Sequence, residues 1–246
     1  APVATGAGIR AATTGAGHDI SMTLGGSVRG DTAGIVASTD AAQGTSGVTI
    51  DFADDITGEN GHGIAVTSGG AIAVHNTGGS GVTVQGGGSG NAGVSLQTSL
   101  TAGLGIHLYG SSGTILGPTD GTVETTGGAD ILIENWDRIE GQNGDGIRAR
   151  SNGGDVDIRN VLAVRGAGGD GIDAASAGGG ITITGSGTGY TDDNGTPGNS
   201  ADDTTYTGIV GTGGDGIHAD ASKAGEGGDI VIGGAGALAN GAITGS

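Results

Sequence analysis

Cysteine is absent from the 246 residues, which removes disulfides and thiolate metal sites and leaves the compartment open. Aromatic residues are almost as scarce: one Trp, one Phe and three Tyr are too few for a large aromatic core. Only 8 Lys and Arg face 26 Asp and Glu, a net charge of −18. Nucleic acid is thereby excluded as a partner, because phosphate contacts need clustered cations, and an anionic membrane surface is disfavoured for the same reason. No apolar run approaches the roughly 18–20 residues that span a bilayer. The start, Ala1-Pro2-Val3, has neither a charged n-region nor an apolar h-region. The expectation is a chain whose signal peptide has been removed, or a segment of a longer protein.

What is present in excess is glycine, 61 residues, about a quarter of the chain. A collagen helix is ruled out because the glycines keep no third-residue spacing and proline numbers only 3. The high charge and low aromatic content point toward disorder, but the aliphatic residues fall in a regular order that disorder does not produce.

That order is an internal repeat. Gly144-Asp145-Gly146-Ile147-Arg148-Ala149 recurs 25 residues later as Gly169-Asp170-Gly171-Ile172-Asp173-Ala174, and again as Gly214-Asp215-Gly216-Ile217-His218-Ala219. Weaker copies surround Ile9, Ile35, Ile64 and Val94, with Val123 expected to serve the coil that lacks the glycines. A second series alternates apolar and polar residues with period two, as a half-buried strand does: Ile20/Met22, Val48/Ile50, Ile72/Val74, Ile106/Leu108, Ile131/Ile133, Val156/Ile158, Ile181/Ile183 and Ile230/Ile232. A third is the short Ile/Val-x-Gly motif at Val28, Ile56, Ile115, Ile139, Val164, Ile209 and Ile243, with Val82 or Val84 filling the missing member.

The connecting lengths support one architecture. Six residues separate Met22 from Val28, Ile50 from Ile56, Ile133 from Ile139 and Ile158 from Val164; eight separate Ile139 from Ile147 and Val164 from Ile172. Only the step from first to second strand varies widely. Two fixed corners and one variable corner predict an all-β, right-handed parallel β-helix, a three-faced β-solenoid of about eight coils and a single domain over 1–246. At about 4.8 Å per coil it makes a rod roughly 40 Å long. Ile139 is expected over Val164 and Ile147 over Ile172, and Asn135 and Asn160 are expected to stack as an amide ladder. A helical reading fails, since no segment sustains a 3.6-residue spacing and glycine would destabilise it throughout.

Ile133-Glu134-Asn135-Trp136-Asp137-Arg138-Ile139-Glu140-Gly141, followed by Gly144-Asp145-Gly146-Ile147, resembles the repeats of autotransporter passenger domains and of the haemagglutinin-like proteins of two-partner secretion. The resemblance is one of repeat style and runs from about Gly6 to Gly245. It implies export by a Gram-negative bacterium and display or release at the cell surface. A complete autotransporter would add a C-terminal membrane barrel, which this sequence does not contain, so membrane attachment is expected only through a longer precursor.

Several residues are candidates for chemistry. Asp145, Asp170 and Asp215 should align on successive coils, and Asp130, Asp155 and Asp229 form a second column. Stacked carboxylates invite a cation such as calcium, although glycine-flanked turn positions facing water explain them equally well. Gly168–Ser176 matches the calcium-binding nonapeptide of RTX proteins except at Ala175, but the copies lie 25 apart and His218 replaces the aspartate in the next one. An insertion at about 187–207 carries Asp192, Asp193, Asp202 and Asp203, enough oxygen for one calcium ion; a solvated loop is the plainer reading. Asp54-Asp55 and Gly61-His62-Gly63 superficially match polygalacturonases, yet His62 takes the repeat slot of Asp145, and that family's Asn-Thr-Asp order and Arg-Ile-Lys motif are missing. Trp136 is either a sugar-stacking platform or a half-buried corner residue, as Val161 at the equivalent place suggests.

The preferred expectation is a non-catalytic extracellular module, an adhesin-like passenger or stalk that needs no cofactor, meeting a host-cell, bacterial-surface or matrix receptor. A polysaccharide-binding or polysaccharide-cleaving β-helix and a self-associating matrix filament are the alternatives.

Overall fold

A computed structural model describes residues 6–40, 46–185, 190–192, 204–206, 208–222, 228–234, 239–240 and 243–245. It is an all-β solenoid. Among the described residues the strands form three parallel sheets, of nine, eight and eight strands, and a two-stranded antiparallel ribbon; outside that ribbon, successive strands visit the three sheets in turn. The first sheet runs from Ala7–Ala12 to Ile243–Gly245, the second from Ile20–Leu24 to Ile230–Gly234, and the third from Val28–Gly30 to Ala239–Asn240.

Register follows the repeat. Ile139 lies beside Val164 and Ile147 beside Ile172 on adjoining coils. The second sheet carries the column Val48, Ile72, Ile106, Ile131, Val156, Ile181, every member of it buried. In the third sheet Val84, rather than Val82, occupies the column with Ile56 and Ile115, though both valines are buried. Three inward columns of aliphatic side chains meet along the axis as one continuous core. Each buried Ile or Val contributes about 1.5–3 kcal/mol, and neighbouring coils supply almost all of its contacts, so stability accumulates coil by coil.

Two alignments differ from the sequence expectation. Val123 is opposite Leu96 and Ala149, while Gly121 takes the slot of Ile147. The corner through Pro118, Thr119 and Asp120 is two residues shorter than that of the following coil, which shifts the aliphatic residue one inward position along the strand. Gly121 leaves a cavity of about 10 Å³ lined by Val94, Leu108, Ile115, Val123, Ile133, Ile139 and Ile147, at the lower limit for one water and apolar, hence dry. Ile243 belongs to the first sheet, opposite Ile217, and Ala239–Asn240 supplies the third-sheet strand of that coil. The Ile-x-Gly motif does not by itself separate the two sheets, because first-sheet strands also begin with an inward isoleucine.

The glycine closing each third-sheet strand has a steric cause. A Cβ on Gly166 would lie 1.8 Å from the carbonyl oxygen of Asp170, and one on Gly141 would lie 2.0 Å from that of Asp145. At this corner the chain folds back onto the space a side chain would occupy.

Candidate functional site

The Gly-Asp-Gly corner leads into the first sheet, and there the acidic column is a hydrogen-bonded ladder. Asp120 Oδ1 accepts the backbone N–H of Asp145 at 2.7 Å, Asp145 Oδ1 that of Asp170 at 2.8 Å, and Asp170 Oδ1 that of Asp215 at 2.6 Å. Each carboxylate thus caps the coil that follows. The preceding glycine makes room: a Cβ on Gly169 would lie 2.2 Å from Asp145 Oδ1. His62 does the same work with nitrogen, its Nδ1 accepting the N–H of Ala92 at 3.0 Å. Burial lowers the His62 pKa, with the Ala92 hydrogen bond opposing the shift, so the imidazole is kept neutral.

Asp55 caps in the same way at another corner, its Oδ1 taking the N–H of Thr83 at 2.8 Å. Asp54-Asp55 and His62 flank the strand Ile56–Gly58 on opposite corners. In the second column Asp130 Oδ1 accepts from the Asp155 N–H and Asp155 Oδ1 from the Gly180 N–H, whereas Asp229 contributes its backbone carbonyl to Ile181.

Charge is densest where this ladder meets the outer face of the first sheet. Register places Arg148, Asp173 and His218 side by side on three successive coils. Arg148 reaches Asp120 at 2.9 Å and Asp173 Oδ2 at 3.4 Å, and Arg150 binds the same Asp173 Oδ2 at 2.5 Å. Asp173 is buried at 6% exposure. Its other oxygen, Oδ1, lies 3.5 Å from His218 Nδ1, and Asp170 Oδ2 lies 3.7 Å from the same nitrogen. The nearby Asp145 carboxyl is pushed above its ordinary range, first by burial and then by Asp120, Asp173 and Asp170, against the pull of the Asp170 N–H. Asp170, Asp173 and His218 are the group that could hold a metal ion here.

Nothing matches. Comparison with protein-family models, with curated proteins and with solved structures returns no relative of this chain. Chemistry is therefore argued from side-chain geometry alone.

On the second sheet His75, His107 and Tyr109 pack edge to face, with ring centroids 5.1–6.0 Å apart. Asp51 holds His75 Nδ1 at 2.9 Å and Glu134 holds His107 Nε2 at 3.0 Å. The sequence offered no sign of this group, since its members become neighbours only through the register of four coils. Trp136, expected at a half-buried corner, is fully buried at 0% exposure, and its Nε1 has no hydrogen-bond partner. The corner closes over the ring, and a Cβ on Gly110 would meet the indole at 2.9 Å.

Of the insertion residues, Asp193, Asp202 and Asp203 lie outside the described residues. Tyr190–Asp192 and Thr204–Tyr206 pair as a short antiparallel ribbon in the register Tyr190–Tyr206, so the limbs of the insertion form a hairpin stem where a loop was expected. Asn135 and Asn160 both adopt left-handed backbone, φ 63° and 54°, a conformation that asparagine tolerates better than most residues. They occupy equivalent corners of adjacent coils, and among the described residues no hydrogen bond joins their amides.

A buried hydroxyl ladder was missed from sequence. Thr39, Ser68, Thr98, Thr125, Ser151 and Ser176 all point inward. Ser151 Oγ donates to the Ala129 carbonyl and accepts the N–H groups of Gly153 and Gly154, satisfying the variable corner from inside. Its signal was available: a Ser or Thr four residues after the leading residue in Ile35, Ile64, Val94, Gly121, Ile147 and Ile172.

Proposed function

We propose that this chain is a non-catalytic, right-handed β-solenoid of about eight coils, working as a rigid extracellular stalk or adhesin-like passenger that presents the 187–207 insertion to its partner. One observation carries the reading: the residues that suggest chemistry in the sequence are used to hold coil to coil. Asp120, Asp145, Asp170 and His62 cap backbone N–H groups of the following coil. The cations are similarly engaged, with Arg29, Arg138, Arg148, Arg150, Arg159 and Arg165 each facing a carboxylate. Among the described residues no row of unpaired cations remains along these faces to bind an acidic polysaccharide. Right-handedness is favoured by the general bias of parallel crossover connections. The autotransporter-like and haemagglutinin-like repeat style supports surface display by a Gram-negative bacterium, with a host-cell, bacterial-surface or matrix receptor as partner.

The test is to replace residues 187–207 with the short corner of the preceding coil. The rod should keep its β-sheet circular dichroism and melting behaviour while binding to receptor-bearing cells is lost; unchanged binding overturns the role of the hairpin. Hydrolysis or elimination products from a panel of polysaccharides would overturn the non-catalytic reading.

A filament-forming reading is favoured by the exposed interior at both ends of the described rod. Met22, Leu24 and Val28 are only partly buried, and Ile230, opposite the buried Ile181, is 36% exposed. Concentration-dependent fibres in electron micrographs would establish this alternative, and a monodisperse monomer at high concentration would dismiss it.

A further inference from the structure

We propose that Asp170, Asp173 and His218 bind one divalent cation of the zinc class, tying together the two coils on either side of the hairpin insertion. The donors are a carboxylate oxygen from the corner, a second from the strand Ile172–Ser176 and an imidazole nitrogen from the strand Ile217–Asp220.

The spacing is the first argument. His218 Nδ1 stands 3.5 Å from Asp173 Oδ1 and 3.7 Å from Asp170 Oδ2, too far for a hydrogen bond. Ligands about 2.1 Å from a tetrahedral ion lie about 3.4 Å apart, so the two separations to His218 need only a few tenths of an ångström of adjustment, and all three ligand atoms lie within 4.8 Å of one another.

The second argument is the anchoring of the two carboxylates. Asp170 Oδ1 is held by the Asp215 N–H at 2.6 Å and Asp173 Oδ2 by Arg150 at 2.5 Å. In each case the remaining oxygen is the one turned toward the imidazole. Outer partners that fix ligand orientation in this way are a regular feature of metal sites. His218, 42% exposed, leaves the open side of the site to water for the fourth position.

Electrostatics agree. Among the described residues Asp120, Asp145, Asp170 and Asp173 share this corner with Arg148 and Arg150, so two arginines face four carboxylates. Imidazole selects the metal: zinc, cobalt and nickel accept nitrogen with carboxylate, whereas calcium prefers an all-oxygen shell.

The experiment is titration of the metal-stripped protein with Co²⁺, followed by visible absorption and calorimetry, with Zn²⁺ as competitor. Wild type should bind one equivalent with a tetrahedral cobalt spectrum that Zn²⁺ displaces. His218→Ala should weaken that binding by about 100-fold or more and abolish the spectrum, with its β-sheet dichroism unchanged because the side chain is exposed. His107→Ala, on the other sheet, should bind as wild type does. Failure of wild type to bind at 1 mM Co²⁺, full retention of the spectrum in His218→Ala, or calcium binding at the same three residues as tightly as zinc would each overturn the proposal.

Discussion

Replacing Asp145 by alanine and by asparagine separates the two roles its carboxylate plays. Oδ1 accepts the Asp170 N–H at 2.8 Å, and the negative charge sits among Asp120, Asp170 and Asp173, which together with burial raise its pKa. Alanine leaves a backbone N–H at a partly buried corner without an acceptor, which costs about 1–3 kcal/mol. For a chain of this length that lowers Tm by roughly 2–4 °C per kcal/mol. Because coils are coupled mainly to their neighbours, the loss should appear first as faster amide exchange around Asp170 and Ile172. Asparagine keeps an oxygen acceptor and removes the repelled charge, so Asp145→Asn should match or exceed wild type at pH 7. Thermal melts and hydrogen exchange on the three proteins provide the check. If Asp145→Ala melts with wild type, the ladder contributes nothing; if Asp145→Asn falls as far as Asp145→Ala, charge rather than hydrogen bonding governs the corner.

The remaining expectations follow from single observations. Asn160→Gly should be neutral or stabilising, since it removes a Cβ held at positive φ, and Asn160→Ala should cost up to about 1–2 kcal/mol, because alanine keeps the Cβ and lacks the short polar side chain that eases left-handed backbone for asparagine; equal melting temperatures would show that the strain is relieved elsewhere. Trp136→Phe should lose little stability, because it deletes a buried N–H that has no partner along with part of the buried ring, and wild-type emission should be blue-shifted until unfolding. His62, whose folded pKa lies below its ordinary 6.5, contributes stability that is present above pH 6.5 and lost as pH falls through the folded value; His62→Asn should flatten the stability profile between pH 7 and 5. Asp145 and Asp157 have raised pKa values and act in the opposite sense: their contribution is present below the unfolded carboxylate pKa and lost as pH rises through the folded values. In His62→Asn melts should therefore rise as pH drops from 5 toward 4.

Much of the fold was legible because a solenoid writes its architecture as a period. Ile139 and Val164, or Ile147 and Ile172, stand 25 residues apart in both cases, and parallel in-register pairing turns that sequence distance into lateral contact. Where the period slipped, local pattern misled: Val123 looked like the leading residue of its coil, and only pairing with Leu96 and Ala149 revealed the shortened corner beside Asp120. The Asp column was equally visible, but its role was not, since a run of Gly-Asp-Gly does not say which backbone N–H its carboxylate meets.

The sequence by itself determined most members of the three aliphatic columns, the commonest corner lengths and the alignment of the aspartates, because each depends only on residue type repeated at fixed spacing. Tertiary structure alone decided which way side chains at those corners turn: Asp170 toward the Asp215 N–H, Trp136 into the core, His218 toward Asp173, and His75 against His107. Those contacts join residues from different coils, and their partners are set by register and corner conformation, which a one-dimensional repeat does not encode.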